Sequence, residues 1–289
     1  MHIPVLQKEV LQYLDPQPNE NFIDCTVGEG GHTLAILEKT VPKGKILGID
    51  LYVRAHLKHS PRLVLIQDNF ANLKEIAQKN RFNKVDGILM DLGMSSWHLE
   101  ESGRGFSFQK KEPLDMRYDA QNQLTAEKIV NFWSKFEIEK ILREYGEEQF
   151  AGSIAERIVE QRKARPIVNT SQLVQIIEQT IPRRGKHPAT RTFQALRIAV
   201  NDELSNLEKV LPQALEILEK NGRLAVISFH SLEDRIVKNF FSAHGGSASG
   251  GKNPSLKILT KKPITPSNNE IKINSRARSA KLRAAQKGR

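Results

Sequence analysis

The sequence has a single cysteine and no long hydrophobic run, and each absence excludes a class of protein. With Cys25 alone, the chain can form neither an internal disulfide nor a cysteine zinc cluster. No apolar run approaches the ~20 residues of a membrane span. The N-terminus lacks the basic and apolar regions of a signal peptide. We therefore expect a cytoplasmic protein without a membrane partner, in which Cys25 is a buried structural thiol.

Acidic residues are scarce in two segments, although the chain as a whole contains 33 of them against 44 lysines and arginines. Residues 252–289 hold eleven basic residues and one acid, Glu270. The other segment has no acid and contains Arg183, Arg184, Lys186, Arg191 and Arg197. Segments of this kind attract a polyanion such as RNA through its phosphates. A solvated basic surface is the alternative interpretation.

The spacing of two of these arginines sets a further expectation. Arg191 and Arg197 are six residues apart and, in a helix, need not share a face. We therefore expect at least one of them to form an internal ion pair, which leaves the other available to hold a phosphate.

Hydrophobic patterning predicts an α/β fold with a mostly parallel sheet. Apolar runs bounded by turn residues lie at 22–27, 45–50, 62–67 and 85–91, each separated by room for a helix. Another lies at 223–229, after the turn Asn221-Gly222, and two weaker candidates lie at 255–262 and 279–286. Prolines confine the first of these two to an edge or a short run.

The predicted sheet is interrupted by a helical region. Residues 112–204 show helical periods and no strand-like run of comparable strength. We therefore predict a discontinuous domain made of residues 1–111 and 205–289. A small all-α insertion domain of residues 112–204 would separate the two parts.

A glycine turn after the first strand predicts a cofactor site. Gly28, Gly30 and Gly31 allow a ligand close to the backbone, and the helix that follows presents free N–H groups. Asp50 ends the second run, where an acid accepts hydrogen bonds from ribose hydroxyls. The turn lacks the third glycine of a dinucleotide fingerprint. Its acids, Asp24 and Glu29, would repel a pyrophosphate but suit the ammonium and sulfonium groups of S-adenosylmethionine.

Two further polar side chains follow predicted strands and would lie at the same sheet edge. Asp91 ends the fourth run, where a parallel sheet places its ligand crevice, and a turn cap is its alternative role. His230 follows the fifth run, just before Ser231 and Asp234, which are also typical of a simple helix N-cap. The chain lacks the Gly-x-Ser-x-Gly elbow of a serine hydrolase. Its histidines lack the spacing of metal ligands, so no metal site is expected.

Seven ordered motifs resemble one family over nearly the whole chain. They are Asp24–His32, Asp91–Ser96, Arg104–Phe108, Pro113–Arg117, His187–Arg197, Ser228–Arg235 and Asn274–Ser279. Together these segments resemble the bacterial 16S rRNA cytosine-N4 methyltransferases of the MraW/RsmH type.

The resemblance implies a class I, Rossmann-like, S-adenosylmethionine-dependent methyltransferase with a helical insertion domain. Its implied substrate is the N4 amine of a decoding-centre cytosine in 16S rRNA, as naked RNA or within the 30S subunit, and its oligomeric state is left open. The cofactor contacts implied at matching positions are Gly30, Gly31, His32, Asp50, Phe70, Asp91 and His98. Two departures concern these contacts. Many members carry glutamine where this chain has His98, and the segment after Asp50, beginning Leu51-Tyr52-Val53-Arg54, is shortened.

The resemblance also implies roles for residues in the reaction. Asp91, with the backbone of Gly93–Ser96, is the candidate acceptor for the amino hydrogens of the target cytosine. Trp97, Phe106 and Phe108 are candidate platforms for a flipped base, with ordinary core packing as the alternative. Arg183, Arg184, Lys186, Arg191, Arg197 and His230 are the candidate RNA contacts.

Three alternative functions were weighed against this one. A nicotinamide-dependent dehydrogenase is disfavoured by the glycine pattern. A DNA amino-methyltransferase would carry Pro-Pro-Tyr or Pro-Pro-Phe after the strand-four acid, where this chain has Leu92-Gly93-Met94. A non-catalytic RNA-binding protein is favoured only if the shortened segment after Asp50 has abolished cofactor binding.

Overall fold

The structure is a computed structural model that describes residues 3–53, 57, 60–181, 185, 187–245 and 255–288. Its helices are α1 Gln7–Leu14, α2 Gly31–Lys39, α3 Leu73–Lys79, α4 Ser96–Glu100, α5 Ala126–Phe132, α6 Lys135–Glu144, α7 Ala151–Ala164, α8 Thr170–Thr180, α9 Ala189–Asn201, α10 Glu203–Ile217, α11 Ser231–His244 and α12 Asn268–Ile273. Its strands are β1 Phe22–Asp24, β2 Ile46–Asp50, β3 Leu63–Gln67, β4 Val85–Asp91, β5 Leu218–Ser228, β6 Leu256–Ile258 and β7 Lys281–Lys287. Short 3-10 helices lie at Phe70–Asn72 and Ser275–Ser279.

The chain divides into two compact units, which are described separately. The sheet unit comprises Met1–Gly93 and Leu204–Arg289, and the helical unit comprises Met94–Glu203. The first boundary lies earlier than the predicted boundary between residues 111 and 112, because Phe106 and Phe108 pack with the core of the helical unit. The second boundary lies within one residue of the prediction.

The sheet unit contains one seven-stranded sheet in the order β3-β2-β1-β4-β5-β7-β6. The first five strands in this order pair in parallel, and β7 runs antiparallel to both β5 and β6. This arrangement confirms the predicted α/β class and mostly parallel sheet. The predicted run at 255–262 contains the three-residue edge strand β6, in agreement with the limit that Pro263 and Pro266 place on strand length.

Both faces of the sheet are covered, because its strands alternate apolar side chains between two cores. One core packs α3, α10 and α11 against strand residues such as Ile23 and Ile88. The other packs α1 and α2 against residues such as Phe22 and Leu89. The result is the three-layer architecture of a doubly wound fold.

Strand β5 begins earlier than the predicted run at 223–229. Leu218 already pairs with Val85, and the pairing resumes at Arg223 with Gly87 after a register shift. Asn221 takes the left-handed φ of 67° within the intervening residues. The predicted turn at Asn221-Gly222 is therefore a bulge inside the strand and does not separate α10 from it.

The helical unit has its own hydrophobic core, formed by α5 to α9 and the loops before α5. Helices α5, α6 and α8 begin at polar caps, which include the capping boxes Ser134/Glu137 of α6 and Asn169/Gln172 of α8. Throughout the described ranges, no helix is long and apolar enough to cross a membrane.

Candidate active site

Four acidic side chains lie at the carboxyl edge of the parallel sheet. Asp24, Asp50 and Asp91 end β1, β2 and β4, and Glu233 lies in the first turn of α11, after β5. Asp24 and Glu233 are only 1% and 3% exposed. Carboxylates so deeply buried repel one another and favour a positively charged ligand.

The glycine turn connects β1 to α2 and is tied to Asp50. The N–H of Gly28 donates to Asp50 Oδ2 at 2.8 Å, and the N–H of Tyr52 donates to Oδ1 at 2.9 Å. Gly28 has a φ of 53°, and a Cβ added there would meet no described atom within 4 Å. The backbone at Gly28 is therefore open to an approaching ligand.

Gly30 and Gly31 are glycines for reasons internal to the fold. Gly30 has a φ of 82°, and a Cβ there would approach Leu57 Cδ2 to 2.4 Å. A Cβ on Gly31 would lie 2.2 Å from Pro4 Cγ, and the Gly31 carbonyl accepts a hydrogen bond from Gln7. Among the described side chains none caps the start of α2 at Gly31. Its first N–H groups are therefore oriented to receive an anionic group such as a carboxylate.

Asp24 joins the glycine turn to α2. The hydroxyl of Thr33 donates to Asp24 Oδ2 at 2.6 Å, and the N–H of Thr26 donates to Oδ1 at 3.0 Å. Burial raises the pKa of Asp24 to about 6, and the nearby Asp50 adds to this rise against the hydrogen bonds from the two threonines. The side chain is therefore a structural acid that adds negative charge beneath the turn.

The pKa of the Asp91 carboxyl lies far above its ordinary value. Burial raises its pKa to about 7, and the charges of Asp24 and Glu233 add to the effect. Its Oδ1 is buried and accepts no hydrogen bond from any residue that the structure describes. Its Oδ2 lies 3.7 Å from Nε2 of His32. A buried acceptor of this kind marks a ligand position.

Thr26 holds Asp91 in place through the backbone. The N–H of Asp91 donates to Thr26 Oγ1 at 2.6 Å. Because Thr26 lies within the glycine turn, this hydrogen bond fixes the end of β4 relative to the turn. Sequence reasoning missed Thr26, since no local pattern announces a bond between residues 65 positions apart.

The sequence was also compared with known proteins. The sequence matches the MraW methylase family over residues 1–288. The chain belongs to this family. Proteins named ribosomal RNA small subunit methyltransferase H are 48% identical in Heliobacterium mobile and 45% identical in Clostridium botulinum strain Kyoto. Each alignment covers 99% of this chain and 98% of the relative.

The chain is accordingly an S-adenosylmethionine-dependent methyltransferase, and the acidic edge fits this cofactor. The cofactor carries an ammonium and a sulfonium group. The carboxyls of Asp24, Asp50 and Asp91 at this edge suit a cationic ligand. The uncapped start of α2 suits the carboxylate of the same molecule.

The remaining predicted cofactor residues lie in different places in this methyltransferase. His32 is buried in the first turn of α2, beside Asp91. Phe70 begins a 3-10 helix after β3 and packs at the margin of the core, where the N–H of Asp68 donates to the Asp50 carbonyl. His98 belongs to the helical unit. Most of the shortened segment after Leu51-Tyr52-Val53 lies outside the described residues.

His98 lies in an aromatic cluster of the helical unit. Its Nδ1 lies 2.7 Å from Ser95 Oγ, and its ring makes edge contacts with Trp97, Phe106 and Tyr118. Phe106 is only 5% exposed and belongs to the core. Phe108 also packs against this core and stacks on His187. Of the three predicted base platforms, Trp97 alone is not packed into the core cluster.

The predicted arginine and lysine contacts to RNA divide into three groups. Arg183, Arg184 and Lys186 lie outside the described residues. Arg191 is exposed on α9. Arg197 instead forms a two-point ion pair with Glu203, at 2.8 and 2.9 Å. This is the internal ion pair expected for one of the two arginines, so Arg197 is withdrawn from the candidate phosphate contacts.

His230, which the sequence predicted as an RNA contact, has a structural role in the fold. Its imidazole accepts from the N–H of Glu233, and Glu233 Oε2 accepts from the N–H of His230. This capping box places the N-cap of α11 at His230, which corrects the N-cap predicted at Ser231. The glutamate three positions after His230 was the available signal, since a capping box requires that spacing.

Proposed function

We propose that this methyltransferase transfers a methyl group to the N4 amine of a decoding-centre cytosine in 16S rRNA, within the 30S subunit. The names of the relatives that are 45–48% identical support a small-subunit rRNA substrate. The observation that carries the proposal is the buried Asp91 oxygen at the end of β4. It lies beside the cofactor turn, where an amino group would need an acceptor.

The proposed cofactor contacts lie along the carboxyl edge. The open backbone at Gly28 and the start of α2 at Gly31 would hold the methionine end, with Asp91 nearby. Asp50 would accept hydrogen bonds from the ribose, and Phe70 would lie beside the adenine. When bound, the cofactor supplies the electrophilic methyl group.

Asp91 would hold the cytosine amine for attack. The lone pair of this amine is delocalised into the ring, so the nitrogen is a poor nucleophile until an acceptor binds its hydrogens. An ionised Asp91 carboxylate is such an acceptor, and its fixed position would contribute positioning and electrostatic stabilisation. The nearby positive charge of the cofactor would lower the pKa of Asp91 and favour this ionised form.

The helical unit is proposed to recognise the RNA. Arg191 is its exposed basic candidate on α9, and Arg183, Arg184 and Lys186 precede this helix in the sequence. Positively charged side chains in this segment would bind phosphates and fix the register of the RNA strand.

The proposal is tested by methyl transfer from labelled S-adenosylmethionine to 30S subunits that lack the modification, followed by nucleoside analysis. We expect the label in N4-methylcytidine. Asp91→Asn should lower kcat about 100-fold, the usual order for a lost electrostatic contact in a transition state. Asp86→Asn is the matched control, because it makes the same change at the opposite end of β4. It should retain wild-type activity.

Two results would contradict the proposal. Label in a different nucleoside would show that the acceptor is not the cytosine amine. An Asp91→Asn enzyme as active as the Asp86→Asn control would remove Asp91 from the reaction.

A further inference from the structure

The antiparallel strand β7 brings a basic segment to the carboxyl edge of the sheet. The first residue of β7, Lys281, lies opposite Ser228, the last residue of β5. After β6 ends at Ile258, the chain pairs again with β7 at Ile264, opposite Leu282. Because β7 begins where β5 ends, the chain that leads into β7 lies at the edge that carries Asp91, and residues 259–264 run beside β7 toward this edge. We call residues 259–280 the basic edge.

The basic edge is connected to the glycine turn by direct contacts. The N–H of Leu6 donates to Glu270 Oε1 at 2.7 Å, and the Asn274 side chain donates to the Ile3 carbonyl at 3.2 Å. The same N-terminal segment contacts the turn, since Gln7 donates to the Gly31 carbonyl at 3.0 Å. The N-terminal segment therefore contacts both the α12 region and the start of α2, and it connects the two.

Four cations of the basic edge are exposed, and none has a described carboxylate within ion-pair distance. They are Lys261, Lys262, Lys272 and Arg278. The one acid of this segment, Glu270, is occupied by the N–H of Leu6. Asp234, the acid nearest to β7, is occupied by Lys281 and Arg283.

An anionic substrate needs such cations at this position. The carboxyl edge presents Asp24, Asp50, Asp91 and Glu233, which attract a cationic cofactor but repel RNA phosphates. We propose that Lys261, Lys262, Lys272 and Arg278 bind phosphates of the RNA strand that carries the target nucleotide. This inference rests on the proposed function. It adds a second RNA contact surface, which belongs to the sheet unit.

The test measures binding of protein-free 16S rRNA as a function of KCl concentration. The variants are the pairs Lys261→Gln/Lys262→Gln and Lys272→Gln/Arg278→Gln. The matched control is Lys43→Gln/Lys84→Gln, because these exposed lysines precede β2 and β4 at the opposite edge of the same sheet. It removes the same charge from the same unit.

We expect each basic-edge pair to raise the Kd for RNA at least fivefold at low salt. The slope of log Kd against log salt should fall by about 1 to 2, since each lost phosphate contact removes about 0.7 to 0.9. The control pair should keep the wild-type slope. Calorimetric binding of S-adenosylmethionine should be unchanged in all of these variants.

Wild-type affinity and slope in both basic-edge pairs would overturn the inference. An equal loss in the control pair would also overturn it, because the effect would then follow net charge alone. Failure of the proposed function can be distinguished from failure of this inference. A wild type that binds RNA through these cations but methylates no cytosine in 30S subunits would retain the basic edge and lose the cytosine assignment.

Discussion

At the scale of single residues, the site is a compromise between stability and ligand binding. Burial raises the cost of ionising Asp24 and Asp91, and neighbouring carboxyls add to it, Asp50 for Asp24 and both Asp24 and Glu233 for Asp91. The protein without its ligand would be more stable if uncharged side chains replaced these acids. Their presence is explained by a cationic ligand, which the same charges attract.

The pH dependence of stability follows from the raised pKa of Asp91. Its folded-state pKa of about 7 lies above the ordinary value of 3.8. The unfolded chain therefore releases this proton first as the pH rises. The carboxyl costs stability increasingly from about pH 4 to pH 7, and the cost is constant above that. Asp91→Asn should raise the free energy of unfolding at pH 8 by roughly 1–4 kcal/mol.

The measurement is urea unfolding of the cofactor-free protein at pH 4 and pH 8. Most of the advantage of Asp91→Asn should disappear at pH 4, where the wild-type carboxyl is protonated in the folded state and about half protonated in the unfolded state. Asp86→Asn is measured in parallel, as the same substitution at the opposite end of β4. A difference between Asp91→Asn and wild type that is the same at both pH values would refute the assigned pKa.

Thr26 is predicted to act as a positioning residue for Asp91. Thr26→Val keeps the shape but leaves the Asp91 N–H without its acceptor, so stability should fall by about 1–3 kcal/mol. Because the carboxyl loses its fixed position, kcat for methyl transfer should fall about tenfold or more. Thr26→Ser keeps the hydroxyl and should restore most of kcat.

Thr40→Val separates this role from a general effect of burying a valine. Thr40 is fully buried in the same unit, and among the described residues its hydroxyl donates to the Leu37 carbonyl in α2 and accepts from Arg62. This control should lose stability without a loss of kcat. If Thr26→Val lowers stability and leaves kcat intact, Thr26 supports the fold alone.

At the scale of structural elements, the glycine turn shows that a glycine in the sequence can serve either packing or ligand binding. Gly30 and Gly31 meet Leu57 and Pro4, so packing explains both. Gly28 meets nothing described. We predict that Gly28→Ala lowers stability by about 1–2 kcal/mol, the cost of a left-handed alanine. It should weaken S-adenosylmethionine binding at least tenfold, because its Cβ occupies the ligand's approach.

Gly103→Ala supplies the matched control for Gly28→Ala. Gly103 has a similar φ of 64° and is equally open, but it lies in the helical unit. Both variants should lose similar stability by denaturant unfolding, while calorimetry should show weakened binding for Gly28→Ala alone. Equal affinity in the two variants would mean that the cofactor does not approach Gly28.

Most elements of the sheet were predictable from the sequence, because a buried strand is a local apolar run between turn residues. The extension of β5 to Leu218 was not, since its pairing with Val85 depends on a bulge that only the neighbouring strand stabilises. The acids at the strand ends were predictable for the same local reason. The Thr26 bond to Asp91 depends on a tertiary contact, and local patterns do not reveal it. The spacing of Arg191 and Arg197 predicted an internal ion pair but identified neither Arg197 as its cation nor Glu203 as its acid.

At the scale of the whole molecule, the chain is a sheet unit interrupted by a helical unit. Helical periods predicted the interruption but placed its start near residue 112. The structure places it after Gly93, because residues 94–111 contain little regular structure and join the helical unit through aromatic packing. Loop residues of this kind carry no periodicity, so composition alone could not assign them.

The helical unit is predicted to fold as an independent domain. Its core contains only its own side chains, and residues such as Leu142, Ile154, Leu173 and Leu196 are fully buried within it. Its size lies within the range in which one core stabilises a domain. Residues 94–203 produced alone should therefore show helical circular dichroism and one cooperative urea transition.

Leu173→Ala tests whether this transition reports the native core. Removing a fully buried leucine should destabilise the isolated unit by about 2–5 kcal/mol. Val168→Ala is the matched control, because Val168 is 44% exposed in the same unit and should cost much less. A broad transition that neither substitution shifts would show that the helical unit requires the sheet unit in order to fold. The helical unit would then fold only as part of the discontinuous chain, because its own core would not suffice.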